Sequence, residues 1–222
     1  MALATKPNTV TVVAFSLFKK VNKEDILKSM DNKKSDFKTV SKNVFKFING
    51  DASVSDKIEV IKKFCEKYKE NALGEIYFYT KANFSLKFPK DNNIDKWLED
   101  NPKLKSEIRA LAEGFAYFGY DGFRAMSELL RSSTDFSLDL SKDKYPLSVL
   151  IAYVLCYLLK NRENFNEEKE KMYQHSLGYL KADISVSTKK IIIRMLDILD
   201  EKNKERLKNE QSLPAEVKNL LR

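Results

Sequence analysis

The chain has 222 residues, of which 43% are hydrophobic, 32% charged and 11% aromatic, and it carries a formal net charge of +8 with a pI near 9.2. Enough apolar and aromatic surface is present to bury a core, which excludes a disordered polyelectrolyte. The two cysteines, Cys65 and Cys156, each lie inside an apolar helical pattern, which suits buried thiols in a reducing compartment rather than a disulfide scaffold.

Gly and Pro are sparse, 6 and 5 in the whole chain, which favours helices over a hairpin-rich sheet. Residues 1–16 are rich in β-branched residues without helical period and read as an extended arm. Ser35 and Asp36 can cap a helix in which Phe37, Val40, Val44 and Phe47 recur at three- and four-residue steps, ending at Gly50. Ser55 is positioned to open the next helix, with Ile58, Ile61, Cys65 and Tyr68 on one face and Gly74 at its end. The aromatic-rich run 75–88, EIYFYTKANFSLKF, predicts a short β-hairpin around Lys81-Ala82-Asn83.

Asn101 and Pro102 then form an N-cap and first-turn pair for a helix carrying Leu104, Ile108, Leu111 and Phe115. Gly119 and Gly122 interrupt it, and a further helix carries Phe123, Met126 and Leu130. After Tyr145-Pro146, residues 147–160 are apolar all round, so neighbours must cover that helix on every side. The run Leu147 to Leu159 is shorter than the roughly 20 residues a membrane span needs. Met1 to Val13 lacks the charged start and long apolar stretch of a secretory leader, so no membrane insertion is expected. Asn166 is a candidate cap with Glu167 and Glu168 behind it, and Ser187 for a long helix over 188–208. A polar tether follows, and SLPAEVKNLLR ends the sequence as a short amphipathic helix.

A net positive charge speaks of partners rather than fold, and Lys outnumbering Arg suits sequence-neutral phosphate contact. Candidate cations are Lys38, Lys42, Lys46, Lys62, Lys63, Lys67, Lys81, Lys87, Lys90, Arg109 and Arg124, and in the C-terminal half Lys171, Lys181, Lys189, Lys190 and Arg194. Tyr77, Tyr79, Phe88, Tyr117, Tyr173 and Tyr179 are candidate stacking surfaces. A cationic groove interleaved with aromatic faces is how single-stranded nucleic acid is held. The bland account makes each Lys a solvated face and each aromatic a core residue. At the termini, Val10, Val12, Val13 and Phe15, with Leu213, Val217, Leu220 and Leu221, need a surface to cover them. That surface is either a neighbouring copy, giving an oligomer, or the chain itself.

Catalysis is not expected. His175 is the only histidine and is expected at the surface of a polar helix, without a nucleophile elbow beside it. Gly114, Gly119 and Gly122 follow a helix rather than a strand and no Gly-Lys-Ser/Thr run accompanies them, so a nucleotide loop is not expected. No metal-ligand spacing surrounds either cysteine, and no cofactor is implied. The run Glu167, Glu168 and Glu170 reads as a solvated first turn, and a carboxylate-dependent nuclease, whose sites leave weak sequence traces, is a third function class. The second is a helical coat or adaptor protein whose basic face binds an acidic partner.

GEIYFYTKANFSLKFPKDNN, LKSEIRALAEGFAYFGYDGF, KYPLSVLIAYVL and FNEEKEKMYQHSLGYLKADISVSTKK occur in an order that resembles the nucleocapsid proteins of segmented negative-strand RNA viruses, especially the orthobunyavirus and tospovirus type. FAYFGYDGFRAM is also similar to a segment of phlebovirus and tenuivirus nucleoproteins. The resemblance implies a mainly α, two-lobed nucleoprotein with one short β-hairpin and extended N- and C-terminal arms. It would have an N-terminal arm 1–16, a lobe 17–110 with the hairpin at 75–88, a lobe 111–208 and an arm helix 209–222. It implies single-stranded genomic RNA in a basic inter-lobe cleft, homo-oligomers linked through the arms, the viral polymerase as a partner, and a place in the virion and host cytoplasm. Carried over by position, Tyr173, Tyr179 and Lys181 fall in the C-terminal RNA-facing segment. Arg109 lies near a cleft arginine in one of two registers. Lys90 stands where the family has a small turn residue, and the abundant arginines of some relatives are missing.

Overall fold

A computed structural model describes residues 21–82, 86–87, 94–134, 144–145, 147–162 and 165–222. Among the described residues the chain is helical, with twelve helices. The first five are α1 (Lys23–Asp31), α2 (Phe37–Asn49), α3 (Val54–Tyr68), α4 (Glu70–Ala82) and α5 (Ile94–Asp100). Then come α6 (Pro102–Tyr117), α7 (Gly119–Thr134), α8 (Leu147–Lys160) and α9 (Asn166–Lys181). The last three are α10 (Val186–Leu199), α11 (Lys202–Asn209) and α12 (Ala215–Leu220). Two-residue strands β1 (Leu86–Lys87) and β2 (Lys144–Tyr145) pair antiparallel, Leu86 opposite Tyr145.

Local chemistry sets the helix starts. Asn22, Asp36, Ser53 and Ser185 each accept a hydrogen bond from the backbone N–H three residues on, satisfying one orphan donor of the first turn. The caps expected at Ser55 and Ser187 therefore lie two residues earlier, at Ser53 and Ser185. Asn166 is the first residue of α9 and not its cap. The helix expected over 188–208 is two helices. Asn203, the second residue of α11 and 4% exposed, turns its Nδ2 back onto the Leu196 carbonyl at 2.9 Å, closing the end of α10 with a side-chain donor.

The hairpin expected over 75–88 is not formed: residues 75–82 belong to α4, and β1 pairs with β2, far along the chain. Burial overrides the β preference of the aromatic run. Ala72, Ile76 and Thr80 stand four apart on one face and are at most 2% exposed. That face rests on α6 at Gly114, where an added Cβ would come within 2.8 Å of Ile76 and 3.0 Å of Ile61. Gly74 lies inside α4, and the break between α3 and α4 falls instead at Lys69, which has φ of 51°.

The centre of the molecule is α6, packed against α3 and α4 on one side and α7 and α8 on the other. Its Ala110, Leu111, Ala112, Phe115 and Ala116 are all fully buried. The division expected between lobes at 110/111 thus lies mid-helix, and the buried apolar side chains form one cluster from Ile26 to Leu221. Gly122, one turn into α7, packs so closely on the end of α6 that a Cβ there would overlap the Phe115 carbonyl oxygen. The close helix crossing accounts for the glycine without any phosphate loop. Arg162 Nη1 donates to the Ala116 carbonyl at 2.5 Å, capping α6 from the far end of α8. The apolar α8 is enclosed by α4, α6, α7 and α10, apart from an edge where Tyr157 is 40% exposed.

At the C-terminus the amphipathic helix finds its surface within the chain. Leu213, Val217 and Leu221 are buried, α12 packs on α10, and Lys189 Nζ meets Glu216 Oε2 at 3.4 Å across that contact. These residues, with the half-buried Leu220, are covered without a neighbouring copy. Val10, Val12, Val13 and Phe15, and the arm 1–16 that carries them, lie outside the described residues, as do Phe88 and Lys90 and the side chains of Lys87 and Ser187.

Among the described residues one buried lysine is uncompensated. Lys57, at the start of α3, exposes no surface, and its Nζ has no hydrogen-bond partner among the described residues. Burial holds its pKa below the ordinary 10.5, with the nearby Glu107 charge acting the other way. The unfolded chain keeps that proton up to 10.5, so the folded state is penalised below this pH and relieved as pH rises towards it.

Two outcomes follow from this packing. Val217→Asp should cost about 2–4 kcal/mol in denaturant titration, and an unchanged midpoint would mean that α12 does not dock on its own chain. Lys57→Met should raise stability by about 1 kcal/mol or more at neutral pH. Its advantage over the parent should shrink as the titrations are repeated towards pH 10.5, and a constant gap would sink the assignment.

Candidate nucleic-acid interface

The helical period of α2 sorts its side chains. Val40, Val44, Phe47 and Ile48 point into the core, while Lys38, Lys42 and Lys46, one turn apart, remain exposed. Successive ammonium groups are thereby spaced about 6 Å apart along the axis. Lys38 and Lys42 have no carboxylate partner among the described residues.

Opposite this stripe stands α4. Because Ile76 and Thr80 seat one face of α4 on the core, Glu75, Phe78 and Tyr79 turn towards α2, and together the two helices bound a groove of about 730 Å³. Phe78 is 65% exposed, more than any other large apolar side chain described, and Tyr77 supports it edge-on at 5.6 Å. An exposed phenyl ring beside three lysines is the pairing of stacking face and phosphate counter-charge that single strands require.

The floor of the groove is held by a polar and aromatic layer. Tyr79 stacks on Phe45 at 4.4 Å with 13° between the rings. Its hydroxyl donates to Glu107 Oε1 at 2.8 Å and accepts from Asn49 Nδ2 at 3.3 Å. Burial raises the Glu107 pKa, opposed by the Tyr79 hydrogen bond and by the charge of Lys57. The Tyr79 phenol is pushed up as well, by burial first and then by the Glu107 carboxylate. Nearer the mouth, the Ser41 hydroxyl donates to Glu75 Oε2 at 2.7 Å.

The remaining sequence candidates do not converge with this stripe. Lys62 and Arg109 both turn to Glu113, at 3.3 and 3.8 Å, and Lys63 pairs with Glu66 at 3.4 Å. Lys67, Lys81, Lys171, Lys181 and Lys190 are exposed but spread over α3, α4, α9 and α10. Lys189 is 4% exposed and serves the α10–α12 contact, so it cannot face a strand. Arg194 covers the Tyr153 ring at 5.0 Å. Tyr173 is 3% exposed, its ring capped by the Arg206 guanidinium at 3.7 Å, which removes it as a stacking surface. Tyr179 hydrogen-bonds Glu128 through its hydroxyl.

A second hollow, about 860 Å³, gathers Tyr77, Tyr117 and Arg124 with Lys69. It also holds Glu70, Asp121 and Glu128, and Arg124 lies 3.6 Å from Asp121, so its charge balance is unsuited to phosphate. His175, expected on a polar surface, is half-buried against the rings of Tyr120, Phe123 and Tyr179 because α9 packs on α7. Burial lowers its pKa. The sequence does not mark Phe78, Glu75 and Ser41 as site residues. Read as a strand, α4 alternates its side chains between two faces, and only the four-residue step Ala72–Ile76–Thr80 reveals which residues are left outside.

Comparison with protein-family models, with curated proteins and with solved structures finds no match to this chain. Among the described residues no helix is long and apolar enough to cross a membrane.

Removing the Tyr79 hydroxyl should leave a buried carboxylate short of its donor. Tyr79→Phe is expected to cost about 1–3 kcal/mol in thermal or chemical unfolding; a neutral effect would mean that Glu107 finds another partner.

Proposed function

We propose that the protein binds single-stranded RNA without sequence specificity and coats it as a viral nucleoprotein. The observation that carries the reading is the α2–α4 groove, where the exposed Phe78 ring lies beside Lys38, Lys42 and Lys46. Phosphates would lie along the lysine stripe and bases would turn inward onto the ring. Each lysine releases a counterion on binding, so affinity is salt-dependent, while the ring contributes a term that salt leaves alone. The net charge of +8 adds attraction at long range. The order of the segments between Gly74 and Lys190 supports the nucleocapsid setting, with genomic RNA as cargo, self-association along it and the viral polymerase as a partner. In that setting catalysis plays no part, and many weak protomer sites on one strand sum to a tight complex.

Anisotropy of a labelled single-stranded RNA across a salt series tests this. The combined variant Lys38→Gln, Lys42→Gln and Lys46→Gln should reduce the slope of log K against log salt by about 2, at about 0.7 per contact. Phe78→Ala should weaken binding by about 1–3 kcal/mol with the slope unchanged. Binding of an acidic peptide in place of RNA, indifferent to Phe78→Ala, would replace the reading with that of an adaptor.

A further inference from the structure

The groove between α2 and α4 contains one feature that phosphate binding does not explain, a carboxylate among the lysines. Glu75 and Phe78 are three residues apart on α4 and so are neighbours on one helix face. Ser41, 2% exposed, fixes Glu75 by donating to Oε2 at 2.7 Å. Lys38 and Lys42 line the same groove and make no ion pair with it, and Oε1 has no hydrogen-bond partner among the described residues. A carboxylate held in this way repels a phosphate. Its free oxygen is an acceptor beside a ring on which a flat, uncharged group would lie.

We infer that Glu75 reads the edge of the base stacked on Phe78, taking a base with an exocyclic amine over one with a carbonyl at the same place. The inference rests on the RNA-binding reading above. Cytosine presents N4–H₂ to a carboxylate as donor to acceptor. Uracil presents O4 there, so two acceptors face each other, and Ser41 holds the carboxylate through Oε2 so that it cannot easily turn away. The two pyrimidines are alike in size and stacking, so the difference between them isolates the edge. The preference acts at this one subsite, and the lysines alongside bind the backbone of either sequence.

The experiment compares labelled oligocytidylate and oligouridylate of equal length by anisotropy, at one salt concentration, with the full-length protein. The parent should bind the cytidylate about tenfold more tightly. Glu75→Gln should close the gap, because an amide offers a donor to O4 and an acceptor to N4. Ser41→Ala should narrow it by releasing the carboxylate, and Phe78→Ala should weaken both ligands together. Circular dichroism checks each variant, and the comparison on the parent stands even if a variant fails to fold. Equal affinity of the parent for both oligomers, still sensitive to Phe78→Ala, overturns the edge reading and leaves RNA binding intact. Failure to bind either oligomer overturns both.

Discussion

The seat of α4 on α6 at Gly114 positions everything on the groove side of the molecule. With no β-carbon at that point, Ile76 and Ile61 approach the α6 backbone directly, and α3 and α4 close over it as a pair. Ile76 is fully buried there, which fixes the rotation of α4 about its own axis. Once Ile76 and Thr80 face the core, the 100° step of the helix leaves Glu75, Phe78 and Tyr79 no choice but to look towards α2. Packing deep in the core thus decides which aromatic ring is presented outside.

Behind the groove lies a layer in which neighbouring groups hold each other's ionisation in check. Tyr79 is bound to Phe45 by stacking and to Glu107 by its hydroxyl, and Glu107 in turn sits in the field of Lys57. Such a layer is expensive if any member is left unpaired, and Lys57 is such a member. The chain carries this cost directly beneath its proposed binding surface. A rigid floor would let a base or phosphate find its partners already in place, so that less ordering entropy is lost on binding.

The charge distribution explains why a net excess of cations does not amount to a site. Lys62, Lys63, Arg109 and Arg124 are each drawn to a neighbouring carboxylate, and Lys189 has been taken into the packing of α12. Exposed pairs of this kind contribute little to stability, yet they cancel the local potential that a polyanion would feel. Lys38 and Lys42 escape this because the α2 face beside them carries Thr39, Asn43 and Asn49 rather than acids.

Periodicity, capping residues and the near absence of glycine and proline were enough to establish from sequence that the chain is helical, where α2, α6 and α8 run, and that Lys38, Lys42 and Lys46 form a stripe. These are local properties, written within one or two helical turns. Whether 75–82 is strand or helix, whether Leu213, Val217 and Leu221 meet their own chain or another, and which aromatic ring remains in solvent were decided only by tertiary structure. Aromatic and β-branched residues favour strands only weakly, and the burial of Ile76 against Gly114 outweighs that preference. An amphipathic terminal helix has the same sequence whether its partner surface is α10 or a neighbour, because the partner is set by where distant residues come to rest.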